Sequence, residues 1–88
     1  MESYKSEVTL RNRRGLHLRF AGLIAKTARQ FVADIRIGKG NRLVDAKSPL
    51  ALVSLAAPFG TQLTLRIEGP DAEKAATIMD EVFQREKV

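Results

Sequence analysis

The sequence predicts an α+β fold, an open-faced sandwich in which a four-stranded antiparallel sheet carries three helices on one face. Two kinds of pattern point to it: four segments alternate apolar and polar residues with period two, and three others set apolar residues at helical spacing along one stripe. They follow one another as strand, helix, strand, strand, helix, strand, helix. Strands with one polar face and helices with one apolar stripe fit an antiparallel sheet shielded on a single side.

The first strand is read from Lys5 to Arg11, where Val8 and Leu10 alternate with Glu7, Thr9 and Arg11. Asn12-Arg13-Arg14-Gly15 breaks the pattern and turns the chain. A helix then runs from about Leu18 to Phe31, with Ala21, Ile24, Ala25, Ala28 and Phe31 on its apolar stripe. Ala33–Ile37 alternates again, and the turn residues Gly38-Lys39-Gly40-Asn41 join it as a hairpin to a strand over Arg42–Ala46. Ser48 is a favoured N-cap and Pro49 a favoured first helical residue, so a short helix starts there, carries Leu50, Val53 and Ser54 on one side, and is ended by Pro58 and Gly60. Thr61–Glu68 alternates most cleanly of all, with Leu63, Leu65 and Ile67 directed inward. The last helix is capped by Asp71 and carries Ala72, Ala75, Ala76, Met79, Val82 and Phe83 as its stripe.

With 88 residues the chain is a single domain, residues 1–88, with room for one modest core. Cysteine is absent and there is one histidine, which leaves no disulfide framework, no thiol nucleophile and no ligand set for a transition metal; no metal or cofactor is expected. The N-terminus lacks the apolar run of a signal peptide and no stretch is apolar enough to span a bilayer, so no membrane insertion and a cytoplasmic location are expected. Net charge is +5, and its placement is uneven. Arg11, Arg13, Arg14, Arg19, Lys26 and Arg29 fall between Glu7 and Asp34, an interval without a single acidic residue. A basic patch of this kind fits an acidic protein partner, a phosphorylated ligand or nucleic acid.

The one histidine lies within that interval, in Arg13-Arg14-Gly15-Leu16-His17-Leu18-Arg19, at or just before the start of a helix. The first N–H groups of a helix lack intrahelical acceptors and the aligned peptide dipoles add partial positive charge there, so an anion is welcome. In many proteins a histidine so placed is a cap or a solvated surface residue. Here the same N–H groups and Arg19 would bind the oxygens of a phosphoryl group placed on the imidazole, and the stretch reads as a site that accepts and holds phosphate.

At this point the residues are similar to those of a known family. The chain resembles HPr, the histidine-containing phosphocarrier of the bacterial phosphoenolpyruvate-dependent sugar phosphotransferase system, from Val8 to about Phe83. Gly15-Leu16-His17-Leu18-Arg19 looks like the family's active-site loop, and Lys47-Ser48 before a short apolar helix, with Gly60 ahead of the last strand, looks like its second signature. The resemblance implies that His17 is phosphorylated through Nδ1, that Arg19 lies beside the phosphoryl group, and that Ser48 matches the serine modified by HPr kinase in some lineages. It places Lys26 and Arg29 among the basic residues that meet acidic partners, and Leu50 and Val53 on the helix that docks with Enzyme I and Enzyme IIA. Two positions depart from the family: Phe20 stands where proline is usual, and Leu18 replaces a small residue. Both make the docking rim more apolar. The implied function is that of a monomeric phosphoryl carrier, a substrate of Enzyme I with no turnover chemistry of its own. The alternatives are a regulatory HPr paralogue, whose phosphorylation at His17 or Ser48 controls partner binding, and a small basic nucleic-acid-binding domain. Low aromatic content and the lack of a stacking motif on the strands argue against the last.

Overall fold

The computed structural model describes residues 2–85. Its elements follow the predicted order: β1 (Glu2–Thr9), α1 (Leu18–Ala28), β2 (Asp34–Lys39), β3 (Arg42–Asp45), α2 (Pro49–Val53), β4 (Gln62–Gly69) and α3 (Ala72–Arg85). The four strands form one sheet in the order β1-β4-β2-β3, and every neighbouring pair is antiparallel. Ile37 stands opposite Leu65 and Ile35 opposite Ile67. These residues, with Leu63, are buried against Ile24 of α1 and Met79, Val82 and Phe83 of α3. The other face carries the solvated alternates, including the ion pairs Arg36–Asp34 and Arg66–Glu68.

Several boundaries differ from the expected ones, each for a local reason. β1 begins at Glu2 because its ladder with β4 runs on to the Glu2–Gly69 pair, although only Val8 within it is buried. It stops at Thr9, and Leu10 is instead held by Gly60 and Thr61, through bonds of 2.8 Å each. α1 ends at Ala28; the N–H of Phe31 then reaches the Ala28 carbonyl at 3.2 Å, a tightened turn that still buries the Phe31 ring. The β2–β3 turn shrinks to Gly40-Asn41, with Lys39 paired to Arg42 and Gly40 at φ +60°, the left-handed region that two-residue hairpins demand.

Ser48 caps α2 as expected, its Oγ accepting from the Ala51 N–H at 3.2 Å. The helix stops at Val53, well before Pro58. Its anchor is Leu52, fully buried; of the side that carries Leu50, Val53 and Ser54, Leu50 and Ser54 are exposed and Val53 is half-buried against the core. Its C-terminal end is held by two cations from the hairpin. Lys39 Nζ donates to the Leu55 and Ala56 carbonyls at 3.2 Å each, and Arg42 donates to the Ser54 carbonyl at 2.9 Å, which complements the negative end of the helix.

Asp71 occupies the start of α3, with its carbonyl accepting from Ala75 at 3.0 Å. Its carboxylate, however, accepts from the N–H groups of Val32 and Ala33, both at 2.8 Å, so it fastens the entry to β2 across the fold. The Val32 N–H, with smaller contributions from Ala33 and nearby Lys47, holds this carboxyl below its ordinary range. A group lowered in the folded state stabilises it fully above the ordinary aspartate value of about 3.9, and loses that contribution as pH falls through the folded value. Asp71→Asn is therefore expected to melt lower than the parent at neutral pH, with the gap closing as both are acidified. Melting curves between pH 7 and pH 2 check this; a constant gap would show that the charge is not what holds the loop.

Candidate functional site

The loop between β1 and α1 is built to hold one conformation. Asn12 is nearly buried, at 8% exposure, and closes a β-turn in which its carbonyl accepts from Gly15 N at 2.9 Å while its Oδ1 accepts from Arg14 N at 3.0 Å. Leu16 N donates to the Ala57 carbonyl at 2.9 Å, tying the loop to the segment after α2. Gly15 has φ +72°, and a Cβ there would lie 2.5 Å from the Ala57 carbonyl oxygen. Both the backbone conformation and the close approach require glycine.

His17 follows as the N-cap of α1, in an extended conformation (φ −80°, ψ 170°). Its carbonyl accepts from Ala21 at 2.9 Å, whereas its half-buried imidazole makes no capping bond. The N–H groups of Leu18, Arg19 and Phe20 precede that first intrahelical bond and lack acceptors within the helix, and the first turn carries no acidic residue. Around the ring lies an open depression lined by Asn12, Arg13, Arg14, His17 and Arg19, with Phe20 and Leu23 as its apolar wall. The arrangement offers a free nitrogen nucleophile, unsatisfied N–H donors and guanidinium groups within one concavity. Such a set can receive and hold a phosphoryl group. Among the described residues no cluster of histidine, cysteine or carboxylate side chains could hold a metal ion, and no helix is long and apolar enough to cross a membrane.

The family model for the phosphorylation site of the phosphotransferase-system HPr component matches residues 4–85. The chain belongs to the HPr family. The phosphocarrier protein HPr of Cupriavidus necator is 36% identical over 69 residues, covering 78% of both chains. The HPr-like protein Crh of Bacillus subtilis is 34% identical over 82 residues, covering 93% of this chain and 96% of that one. The crystal structure of a phosphocarrier protein HPr from Bacillus anthracis superposes with a TM-score of 0.88 at 34% identity, covering 96% of this chain and all of that one.

Within this HPr fold the residues singled out from sequence separate into groups. His17, Arg19 and Leu18 stand together at the start of α1, with Leu18 61% exposed. α2 packs beside α1 and presents Leu50, 76% exposed, with Val53 half-buried beside it. Lys26 is exposed in the last turn of α1. Arg29 is exposed too, but its Nε donates to the Lys47 carbonyl at 3.1 Å while Lys47 Nζ returns to the Phe31 carbonyl at 2.8 Å, a latch that fixes the approach to Ser48.

Phe20 is a correction. Expected on the docking rim, it is only 2% exposed, and its ring meets Phe83 edge-on at a centroid distance of 5.6 Å. Residue 20 lies one turn ahead of Ile24 and continues the inward stripe of α1, so the side chain belongs to the core; its N–H remains in the open first turn, where the family's proline has none. Phe59 was not singled out from the sequence. Phe59, 61% exposed, lies in the segment whose backbone backs onto Gly15, and its only sequence signal is an aromatic between Pro58 and Gly60.

Proposed function

We propose that this chain is a cytoplasmic phosphocarrier of the phosphotransferase system, taking a phosphoryl group on His17 from Enzyme I and passing it to an Enzyme IIA-type protein. The observation that carries the reading is the unengaged imidazole at the N-terminus of α1, in a chain that belongs to the HPr family. The lone pair of Nδ1 forms the bond to phosphorus as the bond between phosphorus and the donor breaks, and the electron pair of that bond leaves with the donor. Onward transfer is the same step reversed onto the next protein. Arg19 and the N–H groups of the first turn bind the oxygens of the phosphoryl group carried on His17. Leu18, Leu50 and Val53 supply the apolar part of the docking surface and Lys26 and Arg29 the charge that an acidic partner meets. Incubation with Enzyme I and phosphoenolpyruvate, followed by intact mass measurement, tests the proposal. One acid-labile, base-stable phosphate per chain is expected, and an unchanged mass overturns it.

A regulatory role attaches to Ser48, the position matching the serine modified by HPr kinase. A phosphate there faces the free N–H groups of α2 and suits the fold, but puts about −2 charge beside Leu50, against the acidic surface of a partner. Ser48→Asp is thus expected to weaken Enzyme I binding without lowering the melting temperature. Ser48→Ala removes the acceptor for Ala51 N and costs about 1 kcal/mol. Titrations and melts on both variants check the pair. Unchanged affinity in the Asp variant would leave Ser48 as a cap alone.

A further inference from the structure

Besides Arg19, two more arginines line the depression around His17. Arg13 and Arg14 are the two central residues of the turn closed by Asn12, a turn bonded twice to that nearly buried asparagine and anchored just beyond by Leu16 on Ala57. A turn so pinned fixes the backbone from which both side chains reach the depression. Neither of the ion pairs among the described residues involves Arg13, Arg14 or Arg19. No carboxylate lies nearby in sequence either, the interval from Glu7 to Asp34 being free of them. Three guanidinium groups without a counter-charge repel one another, and a dianion set among them relieves that repulsion.

We propose that Arg13 and Arg14 join Arg19 in a clamp on the phosphoryl group carried by His17, making this phosphohistidine longer-lived and a weaker phosphoryl donor than a site with one arginine. The proposal rests on the reading of His17 as the acceptor and adds to it a control on transfer potential. The sign follows from the chemistry. In the phosphorylated resting state the oxygens carry two negative charges, whereas in a loose, metaphosphate-like transition state the nitrogen–phosphorus bond is largely broken and the group carries closer to one. Guanidinium groups on those oxygens therefore stabilise the resting state more than the transition state, and they slow the loss of the group to water or to an acceptor. Because the three side chains are solvated, each contact is discounted, and removing Arg13 and Arg14 together is expected to shorten the lifetime about tenfold.

The test needs no partner protein. Phosphoramidate loads histidine chemically, and the decay of the phosphorylated mass at neutral pH can be followed for the parent, Arg13→Gln/Arg14→Gln, and a control, Lys5→Gln/Lys74→Gln, that loses the same charge outside the depression. The expected result is an about tenfold faster decay in the arginine variant, a parental rate in the control, and a parental lifetime that added salt shortens while leaving the arginine variant nearly unmoved. Melting curves of all three should coincide, since the substituted side chains are exposed. Equal lifetimes in parent and arginine variant, or an equal loss in the control, overturn the clamp while leaving His17 as acceptor. A parent that takes up no phosphate that His17→Ala lacks overturns the acceptor reading, and the clamp with it.

Discussion

In a His17→Ala variant the mass gained from Enzyme I and phosphoenolpyruvate is expected to vanish, while the melting temperature stays within about 3 °C of the parent's. The two halves of this expectation have separate causes. The imidazole is the sole nucleophile of the depression, so nothing else there can take the group; the other polar side chains are arginines and an asparagine whose Oδ1 is already engaged. Stability is indifferent because the ring makes no capping bond and is only half-buried, and the bond that starts α1 is made by the His17 carbonyl, which alanine keeps. Intact mass and a thermal melt on the same preparation check both. A variant that still gains a phosphate places the acceptor elsewhere, and one that unfolds means that the ring supports the loop.

Phe20→Ala is expected to lose about 3–5 kcal/mol, the usual cost of truncating a fully buried phenylalanine. Against the 5–15 kcal/mol that is typical of a whole domain, such a loss brings the chain close to unfolding at ordinary temperature. The ring of Phe20 on α1 meets that of Phe83 on α3 edge-on, and both are buried. Phe20→Leu retains most of the volume and is expected to cost much less. Phe20→Pro, which restores the family's residue, is expected to be nearly as damaging as alanine, since proline fits the helix start but supplies little of the lost packing. Denaturant titrations on the three rank them. If alanine and leucine unfold at the same midpoint, apolar volume alone does not hold this junction, and the shape of the ring and its edge contact with Phe83 do.

The residues show why some of this was legible in advance. β4 could be read from Leu63, Leu65 and Ile67 because every inward position is apolar and every one is buried. The first half of β1 could not, since its side chains are exposed and its strand form comes from the backbone ladder with β4, a partner distant in sequence. Ser48 was legible as a cap because its target, Ala51, is local. Asp71 was legible as a helix start, but its carboxylate binds Val32 and Ala33, which no short-range pattern connects to it. At the site, His17 and Arg19 stood out as a motif. Phe20 was misplaced by that same motif, which matched it to a surface proline and hid its four-residue spacing from Ile24. Phe59 gave no periodicity at all, as a single aromatic in a turn cannot.

The tie between Leu16 and Ala57 also orders events in the life of the chain. Sequential elements such as the β2–β3 hairpin can form as they emerge from the ribosome, but β1 waits for β4, its only partner in the sheet. The turn before His17 waits for the carbonyl of Ala57 and for the backbone of Pro58, against which Gly15 packs. A nascent or truncated polypeptide that stops short of this segment carries the histidine and the arginines but lacks the surface that holds them together. Maturation of the acceptor thus coincides with completion of the sheet, and the pool of chains competent to receive phosphate is drawn from finished molecules.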